Sequence, residues 1–432
     1  MKAVIRFQAV AMLLFFSSLS FAQQNSGMQV IHSQLLSIIN QQALTPVGPM
    51  DSTAHLDLVI TLALRNQQKL STLLHNLYDP TSPEYHQFLS HPQFVSEFGP
   101  SQASYDQVVS FAKANGFTVT RTTADRMLVD LNGSVPVLEK ALHVNLLMYN
   151  HPTQNRKFYA PDRNPSINLS VPVLAIYGLS DYYIQRPADL QKSSGKGNHQ
   201  TPDVGTGPNN SYIGNDFRAA YAPGVSLNGH GQKVGLLQLS SDFYQRDITS
   251  YDSLAGLLDV PVGRVFPDNY PGGYQGGSVD GYGATIEVSL DIEMATSMAP
   301  GLDSIIVFEG TNWPDILNAM GANTSIKQFS ASWTFYGDSP SYSSYFDALA
   351  VQGQSFFSAS GDGGAWGSSP VIGDPKVTIV GGTALSTTAP GGQWSSETAA
   401  NFSGGGFDSN FPLPSYQQGI ANPSSTLRGK KR

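Results

Sequence analysis

The sequence predicts an α/β chain built on a parallel sheet with helical crossovers, preceded by a smaller α+β block. Three observations carry this expectation. Short apolar runs at 233–239, 304–308, 354–360 and 377–380 have the length and composition of buried strands. Helical patterns at 247–258, 285–298, 313–320 and 343–353 separate or follow them, and strands alternating with helices build parallel sheets. Upstream, between about 51 and 185, strand and helix patterns follow one another in a different order.

In that first block, 55–64 reads as a strand. Leu70, Leu73, Leu74 and Leu77 recur at helical spacing and stop before Asp79-Pro80. A second helix spans 102–114 and ends at Asn115-Gly116, a common C-cap signal. Strands follow at 117–120 and 127–131, then a helix at 135–142 and a strand at 144–149. This order suggests a small ferredoxin-like sandwich. Residues 23–50 are polar and read as extended. Residues 186–210, with Gln191-Lys192-Ser193-Ser194-Gly195-Lys196, lack apolar positions and read as an exposed, protease-sensitive linker before a second block at 211–432.

The chain start reads as an export signal. Lys2 and Arg6 precede the apolar run 9–16, and Ser20-Phe21-Ala22 offers small residues for cleavage after Ala22. The expected location is therefore secreted, extracellular or periplasmic, with no membrane partner after signal removal. The 432 residues carry a net charge of -8, which argues against nucleic acid as a partner. There is no cysteine, so disulfides, cysteine-ligated metals and thiol catalysis are excluded.

Chemistry concentrates in 284–300. Glu287 and Asp291 are four apart and share one face of a helix. At about 100° per residue they cluster with Met294 and Met298 beside the arc of Val288, Ile292 and Ala295, whereas Glu293 falls among Ser289, Thr296 and Ser297 on the side read as polar. Two acids held close in a low-dielectric place tend to share a proton, and such a pair suits general-base work. A solvated acid pair on a surface helix has the same spacing. Asp362, in Ser358-Ala359-Ser360-Gly361-Asp362-Gly363-Gly364, follows a buried-type strand and should sit at its carboxyl end, where open α/β sheets place ligands. Gly-Asp-Gly is also ordinary turn chemistry.

At these residues the chain resembles the sedolisin family of serine-carboxyl peptidases, including its kumamolisin-like members with their pro-kumamolisin-type activation domain. The resemblance rests on Asp79-Pro80-Thr81-Ser82-Pro83-Glu84-Tyr85-His86-Gln87-Phe88-Leu89, Glu287-Val288-Ser289-Leu290-Asp291, Ser330-Ala331-Ser332-Trp333, Gly361-Asp362, Val380-Gly381-Gly382-Thr383 and Ser403-Gly404-Gly405-Gly406-Phe407. It implies a subtilisin-like peptidase fold, a prodomain at 51–185, and activity on protein or peptide substrates at acidic pH. It also implies that Glu287 takes the proton of a nucleophilic serine, that Asp291 holds Glu287, and that protonated Asp362 donates to the oxyanion. Trp333 supports the pair through position 238, where the family carries Glu and this chain carries Gln238. The resemblance places the nucleophile in a G-T-S-x-x-x-P motif and a calcium site in the same region. No G-T-S follows Phe407 in this sequence, and Ser424 and Ser425 have no motif context. The chain as given is therefore expected to be inactive, with no cofactor of its own. A truncated or frameshifted reading frame fits the basic ending Gly429-Lys430-Lys431-Arg432; the alternative is a non-catalytic binding or inhibitory protein that uses its prodomain.

Overall fold

The computed structural model describes residues 28–32, 34–184, 205–268, 284–333, 335, 339–366, 373–406, 408 and 410–417. The expected signal segment 1–22, most of the linker, Phe407 and the ending with Ser424 and Ser425 lie outside them.

The first block carries a four-stranded antiparallel sheet. Its strands are β1 (His55–Leu62), β2 (Thr118–Thr122), β3 (Leu128–Ser134) and β4 (Val173–Tyr177), in the order β2-β3-β1-β4. Alternate residues of β1 serve different faces. Leu58 and Ile60 join Tyr105, Val108, Leu138 and Leu142 in one core, formed with helices α2 (Gln102–Ala114) and α3 (Val135–Leu142), whereas Val59 points into another. With both faces covered, β1 is buried almost throughout its second half. Helix α1 (Gln67–Tyr78) follows β1.

Two features of this block differ from expectation. The strand at Leu146–Asn150 forms, but it pairs with Pro46–Pro49 and Lys157–Pro161 in a separate three-stranded sheet. The fourth place beside β1 belongs instead to Val173–Tyr177. Residues 34–41, read as extended, form a helix whose Ile39 packs with Tyr149 and Phe158. Its apolar spacing is too short to stand out without that packing surface.

The second block is a six-stranded sheet, and every neighbouring pair is parallel. In chain order its strands are β5 (Lys233–Leu239), β6 (Val262–Val265), β7 (Ser304–Gly310), β8 (Gln328–Ala331), β9 (Ser355–Ala359) and β10 (Val377–Val380), arranged β6-β7-β5-β8-β9-β10. Helices α4 (Gln245–Ala255) and α5 (Ala284–Met298) cover one face, where Leu236, Ile305 and Val307 meet Val288 and Ile292. Helices α6 (Trp313–Ala322) and α7 (Ser343–Val351) cover the other. Thr206, at the end of the segment read as linker, is fastened to this block by bonds from its N–H and hydroxyl to Asp216.

The free face of the antiparallel sheet lies against α6 and α7. Val59, Met127 and Leu128 share one core with Trp313, Leu317, Tyr345 and Phe346. Polar contacts fix the register: Asn318 Nδ2 donates to Asp125 at 2.6 Å and the Tyr78 hydroxyl donates to the Ala350 carbonyl at 2.9 Å. Arg121 on β2 pairs with Asp130 of β3 at 2.5 Å and reaches across to Asp315 of α6, which is only 1% exposed. Burial raises the pKa of Asp130 although Arg121 opposes the shift.

Arg121 is thus the cation shared by two buried carboxylates. Arg121→Ala should destabilise the protein by roughly 3–5 kcal/mol, because it strands buried charge. Lys69→Ala, which breaks the exposed Lys69–Glu97 pair, should cost no more than about 0.5 kcal/mol. Urea unfolding midpoints of both variants check this; similar losses would contradict it.

Candidate active site

The carboxyl ends of the parallel strands converge on one groove of about 350 Å³, lined by Glu287, Leu290, Ser332, Ser358, Ser360, Asp362 and Gly382 among others. Open parallel sheets place ligands at this edge. The parallel register puts Leu237 of β5 opposite Ala331 of β8, so Gln238 stands level with Ser332.

Glu287 and Asp291 both face the sheet from α5. Glu287 is 7% exposed. The Ser332 hydroxyl donates to Asp291 Oδ1 at 2.7 Å, and Gln238 Nε2 donates to Asp291 Oδ2 at 2.7 Å. Trp333 Nε1 donates to Gln238 Oε1 at 2.5 Å. This last bond settles the polarity of the others. An indole N–H can only donate, so the Gln238 oxygen must face Trp333 and its amide must face Asp291. Asp291 therefore accepts from Gln238 on Oδ2, and the bonds from Gln238 and Ser332 favour its anion against the burial.

Burial raises the pKa of both acids. For Glu287, Asp291 adds to the rise, the Ser332 hydroxyl opposes it, and Asp362 contributes a smaller rise. For Asp291, bonds from Ser332 and Gln238 offset part of the burial. Of the two coupled acids Glu287 is raised further, to about 8 against about 6 for Asp291, so the last proton of the pair rests on Glu287.

Asp362 is positioned by glycines. Gly361 takes φ 80°, a left-handed turn that favours a residue without Cβ. The Gly404 N–H donates to the Gly361 carbonyl at 2.6 Å, and a Cβ on Gly404 would collide with the Ser360 carbonyl oxygen. Gly382 N–H donates to the Ser403 hydroxyl at 3.0 Å. The two glycine motifs thus brace the loop that carries Asp362.

All five residues singled out in the sequence, Glu287, Asp291, Asp362, Trp333 and Gln238, meet at this edge. Ser332 was noticed only as part of a motif; its spacing of two from Ser330 puts both on one strand face and could have drawn attention to it. The side of α5 read as polar is not solvated. Thr296 and Ser297 are fully buried, Ser297 bonds Tyr251 of α4 at 2.9 Å, and burial beside Asp252 and Asp247 raises Glu293 to about 7. The exposed face instead carries Ile286 and Leu290. Helix α4 covers the hydroxyls, a long-range packing choice that periodicity does not encode.

The comparisons with known proteins bear on this geometry. Residues 42–182 match the family model "Pro-kumamolisin, activation domain". Kumamolisin of Bacillus sp. (strain MN-32) is 25% identical over 413 residues, covering 88% of this chain. Sedolisin of Pseudomonas sp. (strain 101) is 25% identical over 393 residues, covering 84% of it. Over most of its length the chain is thus similar to peptidases of the sedolisin family. Another member, xanthomonalisin of Xanthomonas sp. (strain T-22), is 24% identical over 420 residues, covering 82% of the chain. The chain spans 72% of the length of kumamolisin, 64% of sedolisin and 48% of xanthomonalisin.

The family resemblance implies calcium. Among the described residues no group of three or more His, Cys, Asp or Glu is arranged to hold a metal ion, and no step is assigned to one. Among the same residues no helix is long and apolar enough to cross a membrane.

Gln238→Glu is nearly isosteric and replaces the donor to Asp291 with a third carboxyl. To keep the contact it must hold a proton. A carboxyl whose folded pKa lies above its unfolded value favours folding in acid and loses that contribution as pH rises. The variant should match its parent below about pH 4 and fall behind it at neutral pH. The deficit should grow by about 1.4 kcal/mol for every pH unit that separates the folded pKa of the new carboxyl from its unfolded one. Melting temperatures of both proteins between pH 3 and 8 check this; parallel curves would contradict it.

Proposed function

We propose that this chain is the proform of a secreted serine-carboxyl peptidase acting on peptide bonds at acidic pH. The observation that carries the reading is the shared groove: Glu287, buried and coupled to Asp291, and the glycine-braced Asp362 line the same space. In this reading Glu287 accepts the proton of a serine nucleophile in the form of the coupled pair whose proton rests on Asp291, Asp291 keeps Glu287 oriented and Asp362 donates to the developing oxyanion. A carboxylate in place of histidine suits work in acid, and a carboxylic acid donates only while protonated.

Residues 51–185 are read as the inhibitory prodomain. The strand order β2-β3-β1-β4 with α2 and α3 on one face supports a ferredoxin-like fold. Its other face covers α6 and α7, which fits a prodomain held against its own peptidase. Residues 186–210 are the expected maturation segment and 211–432 the peptidase block. Removal of 1–22 by export, with a cut after Ala22, completes the scheme. Residual activity without a nucleophile rests on binding and the oxyanion site alone, orders of magnitude below the intact enzyme. A second reading, a non-catalytic protein binding a related peptidase, draws on the well-packed first block.

The test is to fuse the chain to the kumamolisin segment that follows the aligned region and to assay casein cleavage from pH 3 to 7. The unfused chain should neither cleave casein nor process itself. The fusion should cleave in acid, Glu287→Gln should abolish cleavage, and Asp362→Asn should reduce it by roughly 10²–10³-fold. A Glu287→Gln fusion with near-parental activity would sink the assignment. Linker cleavage in the unfused chain that vanishes with Glu287→Gln would mean that a serine already present acts.

A further inference from the structure

Helix α7 ends against the first block, at a place the scheme above does not use. The last carbonyls of a helix have no partner within it. Two of them are closed by the chain that follows. The Gly353 N–H donates to Ala350 at 3.1 Å and the Gln354 N–H donates to Leu349 at 3.0 Å. This paired closure turns on a left-handed residue, and Gly353 has φ 67°. Lys327 Nζ donates to the Gln352 carbonyl at 3.0 Å. The rest comes from the first block. The Leu89 N–H donates to the Val351 carbonyl at 2.8 Å, and the Tyr78 hydroxyl adds its bond to Ala350.

Phe88, next to Leu89 in the chain, covers Gly353. A Cβ at position 353 would stand 2.5 Å from Phe88 Cδ2 and 2.7 Å from Phe88 Cγ, well inside van der Waals contact. The ring is not free to swing away, because Cγ is its root and aromatic neighbours hold it. His86 stacks on it at 5.4 Å and Tyr78 tilts against it at 5.8 Å, while Tyr85 stacks on His86 at 3.8 Å.

We propose that Gly353 is the specificity-determining residue of this contact. The end of α7 takes a partner that presents the phenol hydroxyl of Tyr78, the ring of Phe88 and the N–H of Leu89. It takes that partner only where position 353 has no side chain. A released first block would therefore sit on the second block of another copy of this chain. It would also sit on a related block with glycine at this place, and a block with any side chain there would refuse it. The left-handed turn alone does not demand glycine, because asparagine also ends helices in that conformation. Exclusion of asparagine is what the Phe88 ring adds.

The proposal rests on residues 51–185 being a separable prodomain, and the experiment tells the two failures apart. A recognition sequence for a site-specific protease is placed within 191–196 of the full-length chain, and the folded protein is nicked there. Sedimentation velocity over a dilution series then gives the affinity between the pieces. The parent pieces should stay together. Gly353→Asn should weaken them roughly 10–100-fold, the effect of one overpacked contact. Phe88→Ala forfeits the contact of the ring, but Gly353→Asn added to it should then weaken the pieces little further. Equal affinity in the parent and Gly353→Asn would overturn the proposal and leave the prodomain reading standing. The same loss from Gly353→Asn with and without the Phe88 ring would mean that the glycine serves α7 alone, and would also overturn it. Parent pieces that part on nicking would overturn the prodomain reading and the proposal with it. If Gly353→Asn alone does not fold, the double variant decides. A folded double variant with its pieces held supports the proposal, and an unfolded one overturns it.

Discussion

The bond from Trp333 to Gln238 sets the polarity of everything around it. Because the indole can only donate, the amide of Gln238 can only point one way, and Asp291 is left to accept. Ser332 completes its second oxygen. Donors on both oxygens offset part of the burial that raises the Asp291 pKa, so the proton of the pair falls first to Glu287, the acid beside the groove. The charge distribution of the site thus descends from a buried tryptophan on the neighbouring strand.

The fold makes this arrangement durable by putting it where backbone and helix are both fixed. Helix α5 lies on the sheet through Val288 and Ile292, and its acids come down on the ends of β5 and β8. The same burial that fixes them penalises their charge. Other carboxyls in the layer feel it too: Glu309, in register with Gln238 and fully buried near Asp242, is raised to about 9, with Arg264 opposing the rise. Asp252 is raised to about 6 by burial, with Asp259 adding to it. All these groups bind protons more tightly folded than unfolded, so the second block is favoured by acid and loses that contribution as pH rises from about 4 through 9.

Much of the architecture was legible because local pattern and tertiary role coincide. Helices α2 and α3 occupy the ranges their spacing and end signals indicate. The parallel strands are continuous apolar runs because both faces are covered. The acid pair was legible from its i, i+4 spacing beside an apolar arc. What stayed hidden depends on partners distant in sequence. Nothing local says that Val173–Tyr177, rather than Leu146–Asn150, closes the antiparallel sheet, since both are short apolar runs. Thr296 and Ser297 look solvated until α4 is laid over them. Ser332 reads as an ordinary strand serine until the register brings it level with Gln238 and beneath α5.

The location of one proton is the most direct test. Neutron diffraction from a deuterated crystal grown near pH 7, between the raised values of about 6 for Asp291 and about 8 for Glu287, would locate it without reference to activity. The expected map has a deuteron on Glu287, none on Asp291, and the Gln238 ND₂ group facing Asp291. A deuteron on Asp291 with Glu287 bare, or a Gln238 amide turned toward Trp333, would contradict the polarity on which the site is built.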